Sequence, residues 1–173
     1  PQLSDHVGFE TPLEGLQVRV WNILAPGAPS GYDYFACANE VKYGQTRIYD
    51  QMALISKWHG QPNAVTLLQE VTPHVYGLLL PYLKTINPLI QGDFETCTTG
   101  TNPFGVATFW NSGFVTATRI YANPTLSRSL MHKFSWPNLK NEVYVGNTHC
   151  AYGVWTANQA SNASIIKNML DLA

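Results

Sequence analysis

Apolar and polar positions fall into short runs along this chain, and the runs change character near residue 94. Leu16 to Trp21 alternates in a strand-like way, with Asn22 just past its polar end. Pro26-Gly27-Ala28-Pro29-Ser30-Gly31 is a loop, because proline and glycine punctuate the backbone. Gln45 to Trp58 sets Ile48, Met52 and Ile55 near helical spacing among polar residues, which predicts an amphipathic helix ending at His59-Gly60. Ala64 to Leu68 is a short apolar run and predicts a buried strand. Thr72-Pro73 then offers a capping hydroxyl and a first-turn proline, so a helix starts there and runs to about Tyr82.

Gly92-Asp93-Phe94-Glu95 lies between that helix and the next strand and reads as a solvated loop. Four strands are predicted beyond it: Phe104 to Trp110, Phe114 to Tyr121, Ser127 to Phe134 and Glu142 to Thr148. Asn111-Ser112-Gly113 is the turn between the first two. Trp155 to Leu172 closes the chain as a helix with Ile165, Ile166, Met169 and Leu170 on one side. Strand, helix, strand and helix followed by a meander predict an α/β fold of packed layers. The chain shows no repeat, low-complexity tract or linker, so residues 1–173 are read as a single domain.

Composition narrows the classes. Charged residues make up 12% of the chain, about half the usual share of about 25%. The net charge is −1, which weighs against a broad basic footprint for duplex nucleic acid but not against an enzyme that meets phosphate through metal and a few polar groups. No apolar run reaches the roughly 20 residues of a membrane span; Val75 to Leu83 is broken by Gly77, Pro81 and Tyr82. Cys37, Cys97 and Cys150 are an odd number without metal-ligand spacing, so at most one bridge forms and its presence stays open. The first residue is proline, read as the start of a processed, excised or engineered product; the compartment stays open.

The chemistry-bearing residues stand at the ends of apolar runs. Glu70 emerges from Val65-Thr66-Leu67-Leu68, and a carboxylate there needs a partner. A divalent cation is one; a helix cap or a surface ion pair is the alternative. His149 ends a second such run and is suited to stabilising a phosphoryl oxygen, although strand-end histidines more often serve as hydrogen-bonded structural groups. Asp5-His6 offers a metal ligand and a base side by side, but only at a turn or strand end, because neighbours on a regular strand face opposite ways. Asn22 alone is a weak signal. His59, His74 and His132 have no ligand spacing, and there is no phosphate-cradling glycine loop or nucleophile elbow.

Together these pieces resemble the endonuclease/exonuclease/phosphatase superfamily, the fold of DNase I, abasic-site nucleases, neutral sphingomyelinases, inositol-polyphosphate phosphatases and deadenylases. The matching pieces are Val20-Trp21-Asn22-Ile23, the helix carrying Arg47 near its start, Leu67-Leu68-Gln69-Glu70-Val71, and Asn147-Thr148-His149 with its following helix. The resemblance covers residues 16 to 173 and fits the family's first half. It implies a DNase I-like β-sandwich flanked by helices, with only part of the full sandwich present.

Two departures stand out. The family's closing Ser-Asp-His segment opens this chain, as Leu3-Ser4-Asp5-His6-Val7-Gly8-Phe9-Glu10, which implies a circular permutation or the join of tandem copies. The family's Asp-x-Asn motif finds no match after His149.

The resemblance implies a metal-dependent phosphoester hydrolase acting on nucleic acid, a phospholipid headgroup or an inositol phosphate. Mg²⁺ or Mn²⁺ would be held by Glu70 with Asn22 and Asp5. His6 would be base or phosphate contact, and His149 would stabilise the phosphoryl oxygens. A half-sandwich would expose an apolar face, which calls for a complementing chain or a second copy. The alternatives are a binding or regulatory module without turnover, or a partial domain.

Overall fold

The structure is a computed structural model that describes residues 15–23, 40–96, 104–125, 128–136, 142–150 and 155–173, with side chains omitted for 40–46 and 155–158. In chain order the elements are β1 (Gln17–Asn22), α1 (Glu40–Trp58), β2 (Ala64–Val71), α2 (Pro73–Ile86), β3 (Ile90–Thr96), β4 (Gly105–Asn111), β5 (Thr116–Asn123), β6 (Arg128–Ser135), β7 (Glu142–His149) and α3 (Trp155–Asp171). One sheet runs β1-β2-β4-β3, and a second runs β5-β6-β7. β1 and β2 are parallel, as a strand–helix–strand crossover requires, and the other pairs are antiparallel.

The layers follow from the side chains. β2 is buried along almost its whole length because both of its faces are covered. Leu68 and Val71 pack under Ile48, Met52 and Ile55 of α1 and Val75, Leu79 and Leu83 of α2, together with Phe109 of β4. Val65 and Leu67 point the other way, toward Val115 and Phe134. Each fully buried leucine of α2 contributes about 2 kcal/mol of apolar transfer free energy. On the far side, Ile165 and Met169 of α3 pack on Met131 of β6. The molecule is thus helices, sheet, sheet and helix, the α/β sandwich that the strand–helix alternation predicts.

Local signals placed several boundaries well. Val75 N–H donates to Thr72 Oγ1 at 3.2 Å, with Pro73 in the first turn of α2. α2 continues to Ile86, past the expected Tyr82 and through Pro81. Two expectations need correction. Ile166 and Leu170 do not share the packed side of α3; they are 45% and 70% exposed.

The second correction concerns Gly92-Asp93-Phe94-Glu95, which is not a solvated loop but the body of β3. Glycine and acidic residues are poor strand formers, so propensity gave no warning. Tertiary pairing overrides it: Phe94 stacks on Tyr76, with centroids 4.9 Å apart, while Asp93 and Glu95 bond Arg119 of β5 on the opposite face. Gly92 is required there, since a Cβ would stand 2.9 Å from the Phe109 ring.

The sheets are offset. β2 and β4 lie over β7, and β3 and β4 over β6, so β1 stands past the β7 edge. Val18 and Val20 of β1 neighbour Val65 and Leu67 in register and therefore share their sandwich-facing side. They are nevertheless 43% and 64% exposed.

Among the described residues, no helix is long and apolar enough to cross a membrane. Cys150 is a free, exposed thiol. Cys37 and Cys97 lie outside the described residues.

Candidate functional site

Three of the five residues singled out above come together. β1 ends at Asn22, whose Nδ2 donates to Glu70 Oε1 at 3.0 Å. β7 ends at His149, whose Nε2 lies 3.3 Å from the same oxygen. Asp5 and His6 lie outside the described residues.

Glu70 is presented by a break in regular structure. The β2–β4 register slips between Gln69 and Val71, so Glu70 sits at a bulge in the strand. Its φ is 58°, in the left-handed region that few non-glycine residues adopt. Strain of this kind persists only where the surroundings enforce it, and it collects at functional sites. The bulge turns the carboxylate out of the strand's alternation and toward Asn22 and His149. Its side chain keeps 16% of its surface accessible.

The neighbouring backbone is tied down from several sides. Ile23 N–H donates to Gln69 O at 3.1 Å, extending the β1–β2 pairing one residue past Asn22. Ile23 O in turn accepts from Gln51 Nε2 at 2.8 Å and from the Arg47 guanidinium, both on α1. The helix arginine thus serves to clamp the end of β1.

Across the sandwich, Gln69 Nε2 donates to Asn147 Oδ1 at 2.7 Å. Asn147 Nδ2 donates to Ala107 O at 2.9 Å and to Leu68 O at 3.2 Å. Phe104 meets the His149 ring edge-on, with centroids 5.5 Å apart. The Arg128 guanidinium lies over the Phe104 ring, 4.2 Å from its centroid, and Arg128 opposes His149 in the β6–β7 ladder.

Sequence reasoning assigned no role to Gln69, Asn147, Phe104 or Arg128. Gln69 and Asn147 sat inside the motifs already singled out, and a buried amide within an apolar strand was the available signal. Nothing in the local pattern marked Phe104 or Arg128.

The donor set suits a hard cation. Mg²⁺ or Mn²⁺ accepts carboxylate and amide oxygens and keeps several waters, so one carboxylate with an amide beside it is a workable partial set. Glu70 and Asn22 supply that pair. Among the described residues, no three His, Cys, Asp or Glu side chains are gathered for a metal ion.

A second polar cluster lies elsewhere between the sheets. The Arg119 guanidinium pairs with Asp93 and reaches Glu95 at 3.1 Å, and His132 Nε2 lies 2.7 Å from Asp93 Oδ2. Burial pushes the Asp93 carboxyl up, but the hydrogen bonds from His132 and Arg119 and their charges outweigh it and hold the group well below the usual carboxylate range. This cluster joins β3 to β5 and β6 and fastens the sheets at the edge away from β1.

The fold is a DNase I-like two-sheet α/β sandwich, present in part, with Asn, Glu and His converging at strand ends. Three solved structures share it. ANGEL2, a 2′,3′-cyclic phosphatase, aligns with a TM-score of 0.61 at 21% identity, over 79% of this chain and 41% of its own. The human Nocturnin catalytic domain with a bound sulfate anion aligns at 0.62 and 16% identity, over 90% and 58%. TDP2 of D. rerio, complexed with a single-strand DNA product, aligns at 0.53 and 13% identity, over 91% and 55%. The chain therefore spans about half the length of these structures. No family model matches it, and no curated protein matches it by sequence.

Proposed function

We propose that this chain carries part of the active site of a metal-dependent phosphoester hydrolase. The observation that carries the reading is the meeting of Asn22, Glu70 and His149 on one strand-end rim. The structural likeness to a cyclic phosphatase and to a TDP2 bound to a DNA product supports the phosphoester class.

In this reading Glu70 and Asn22 would hold Mg²⁺ or Mn²⁺, the Asn22 amide turning from its Nδ2 contact with Glu70 to offer its oxygen. Such an ion would supply Lewis acidity to a phosphoryl oxygen and a template for its orientation. His149 donates a hydrogen bond to a non-bridging oxygen of the phosphoryl group. Phe104 walls the imidazole on one side and limits its rotation. Asp5 is proposed as a further metal ligand and His6 as base or phosphate contact. Water adds to phosphorus, one phosphorus–oxygen ester bond breaks, and the departing alkoxide takes up a proton. Substrates in scope are nucleic acid, a phospholipid headgroup or an inositol phosphate.

The test is hydrolysis of bis(p-nitrophenyl) phosphate with Mg²⁺ or Mn²⁺, with EDTA, and with Glu70→Gln. Turnover that needs metal and is lost with EDTA and in the variant is expected; turnover indifferent to all three sinks the proposal.

One observation favours a second reading, a binding or regulatory module without turnover. The sandwich-facing Val18 and Val20, exposed beyond β7, support a complementing chain or second copy as the element that completes the site. Absent turnover together with metal-dependent binding of a phosphodiester, followed by calorimetry, would decide for this reading.

A further inference from the structure

Asn147 stands on β7, yet its side chain belongs to the other sheet. Its amide donates to the carbonyls of Ala107 on β4 and Leu68 on β2, and its oxygen accepts from Gln69. It is 2% exposed. A buried amide that meets three partners of fixed position in a low-dielectric interior has one low-energy arrangement, so it specifies a geometry where methyl groups would tolerate sliding. Apart from the Asp93–Arg119–His132 cluster at the far edge, the rest of the contact between these sheets is largely apolar, with Val65, Leu67, Val115 and Phe134 at its centre.

The tether sits where its effect is largest. Gln69 directly precedes Glu70, and Asn147 stands two residues before His149 on the same strand. Two positions along a strand is one pleat repeat, so Asn147 and His149 point to the same side of β7. A slide of β7 against β2 would carry His149 away from Glu70 without breaking a ladder bond in either sheet. The Gln69–Asn147 bond at 2.7 Å opposes that slide directly.

We propose that Asn147 is a positioning residue: by locking β7 to β2 and β4 it sets the Glu70–His149 approach, while touching neither substrate nor metal. Its consequence for turnover rests on the hydrolase reading above; its consequence for geometry does not.

The experiment therefore reads both. In the full chain, the nuclear Overhauser effect between the His149 ring proton at Cε1 and the Glu70 methylene protons is compared with that in Asn147→Ala and in Gln69→Met. Loss of the effect in variants that still melt cooperatively is expected. Metal-dependent phosphodiester kcat falls about 10- to 100-fold with KM little changed, as for other residues that orient a metal or catalytic group. An effect retained at full strength in either folded variant overturns the proposal, because a residue that only adds stability would lower the melt and leave the contact alone. Should Asn147→Ala not fold, Gln69→Met, which leaves both carbonyl bonds in place, decides by the same readout. A wild-type chain without turnover sinks the hydrolase reading and leaves the Overhauser result to judge this one.

Discussion

Glu70 Oε1 and His149 Nε2 stand 3.3 Å apart although 79 residues separate them in the chain and each belongs to a different sheet. The contact depends on a backbone that a glutamate rarely adopts, the φ of 58° at Glu70. Asparagine enters the left-handed region more readily than glutamine does. Glu70→Asn is therefore expected to be more stable than Glu70→Gln by about 1 kcal/mol. Urea unfolding midpoints of the two variants check this. A glutamine variant as stable as the asparagine one would mean that the bulge relaxes and the strain is absent.

His59, at the end of α1, is buried at 4% exposure, and neither ring nitrogen has a hydrogen-bond partner among the described residues. Burial, aided by the nearby Arg19 charge, pushes its pKa down from the usual 6.5 to about 4. The unfolded chain then binds the extra proton between pH 4 and 6.5, so stability rises with pH across that window and is lost as pH falls through it. At 1.36 kcal/mol per unit the full effect is at most about 3 kcal/mol. Thermal melts from pH 7 to pH 4 should show the decline, and His59→Phe should flatten it. An unchanged slope in the variant would place the titration elsewhere.

The Asp93 cluster makes an ordered prediction. Arg119 is 39% exposed, so Arg119→Met is expected to cost only about 1 kcal/mol or less. Asp93→Ala removes the partner of the almost fully buried His132 imidazole and is expected to cost about 2 kcal/mol or more. Chemical denaturation of both variants tests the order, and a reversed order would refute the assignment of His132 as the group that depends on Asp93.

Val20 and Leu67 are register neighbours on one face of one sheet but differ in what covers them. Leu67→Ala should destabilise the isolated chain by about 3 kcal/mol. Val20→Thr, at a position 64% exposed, should stay within about 0.5 kcal/mol of the parent. Comparable losses at the two sites would show that Val20 is already covered in solution.

Most of the elements were legible from local chemistry because their causes are local. The hydroxyl of Thr72 and the ring of Pro73 begin α2 wherever that helix packs, and the spacing of Ile48, Met52 and Ile55 makes one side of α1 apolar regardless of its partner. β3 was illegible for the opposite reason. Gly92, Asp93 and Glu95 disfavour a strand on their own, and only Arg119, His132 and the Phe109 ring, all distant in sequence, make the strand the better solution. Ile166 and Leu170 were misjudged because periodicity gives a helix an apolar side but not the width of the surface it meets.

The amino-acid order by itself determined which residues carry chemistry: a carboxylate, an amide and an imidazole each closing an apolar run, since strand ends are where a sheet meets solvent. Only the packed sandwich decided that Asn22, Glu70 and His149 share one rim, that Gln69 and Asn147 lock the sheets behind them, and that Val18 and Val20 lie open. Those outcomes depend on how far one sheet is shifted over another, a quantity summed over many long-range contacts that no short stretch of sequence encodes.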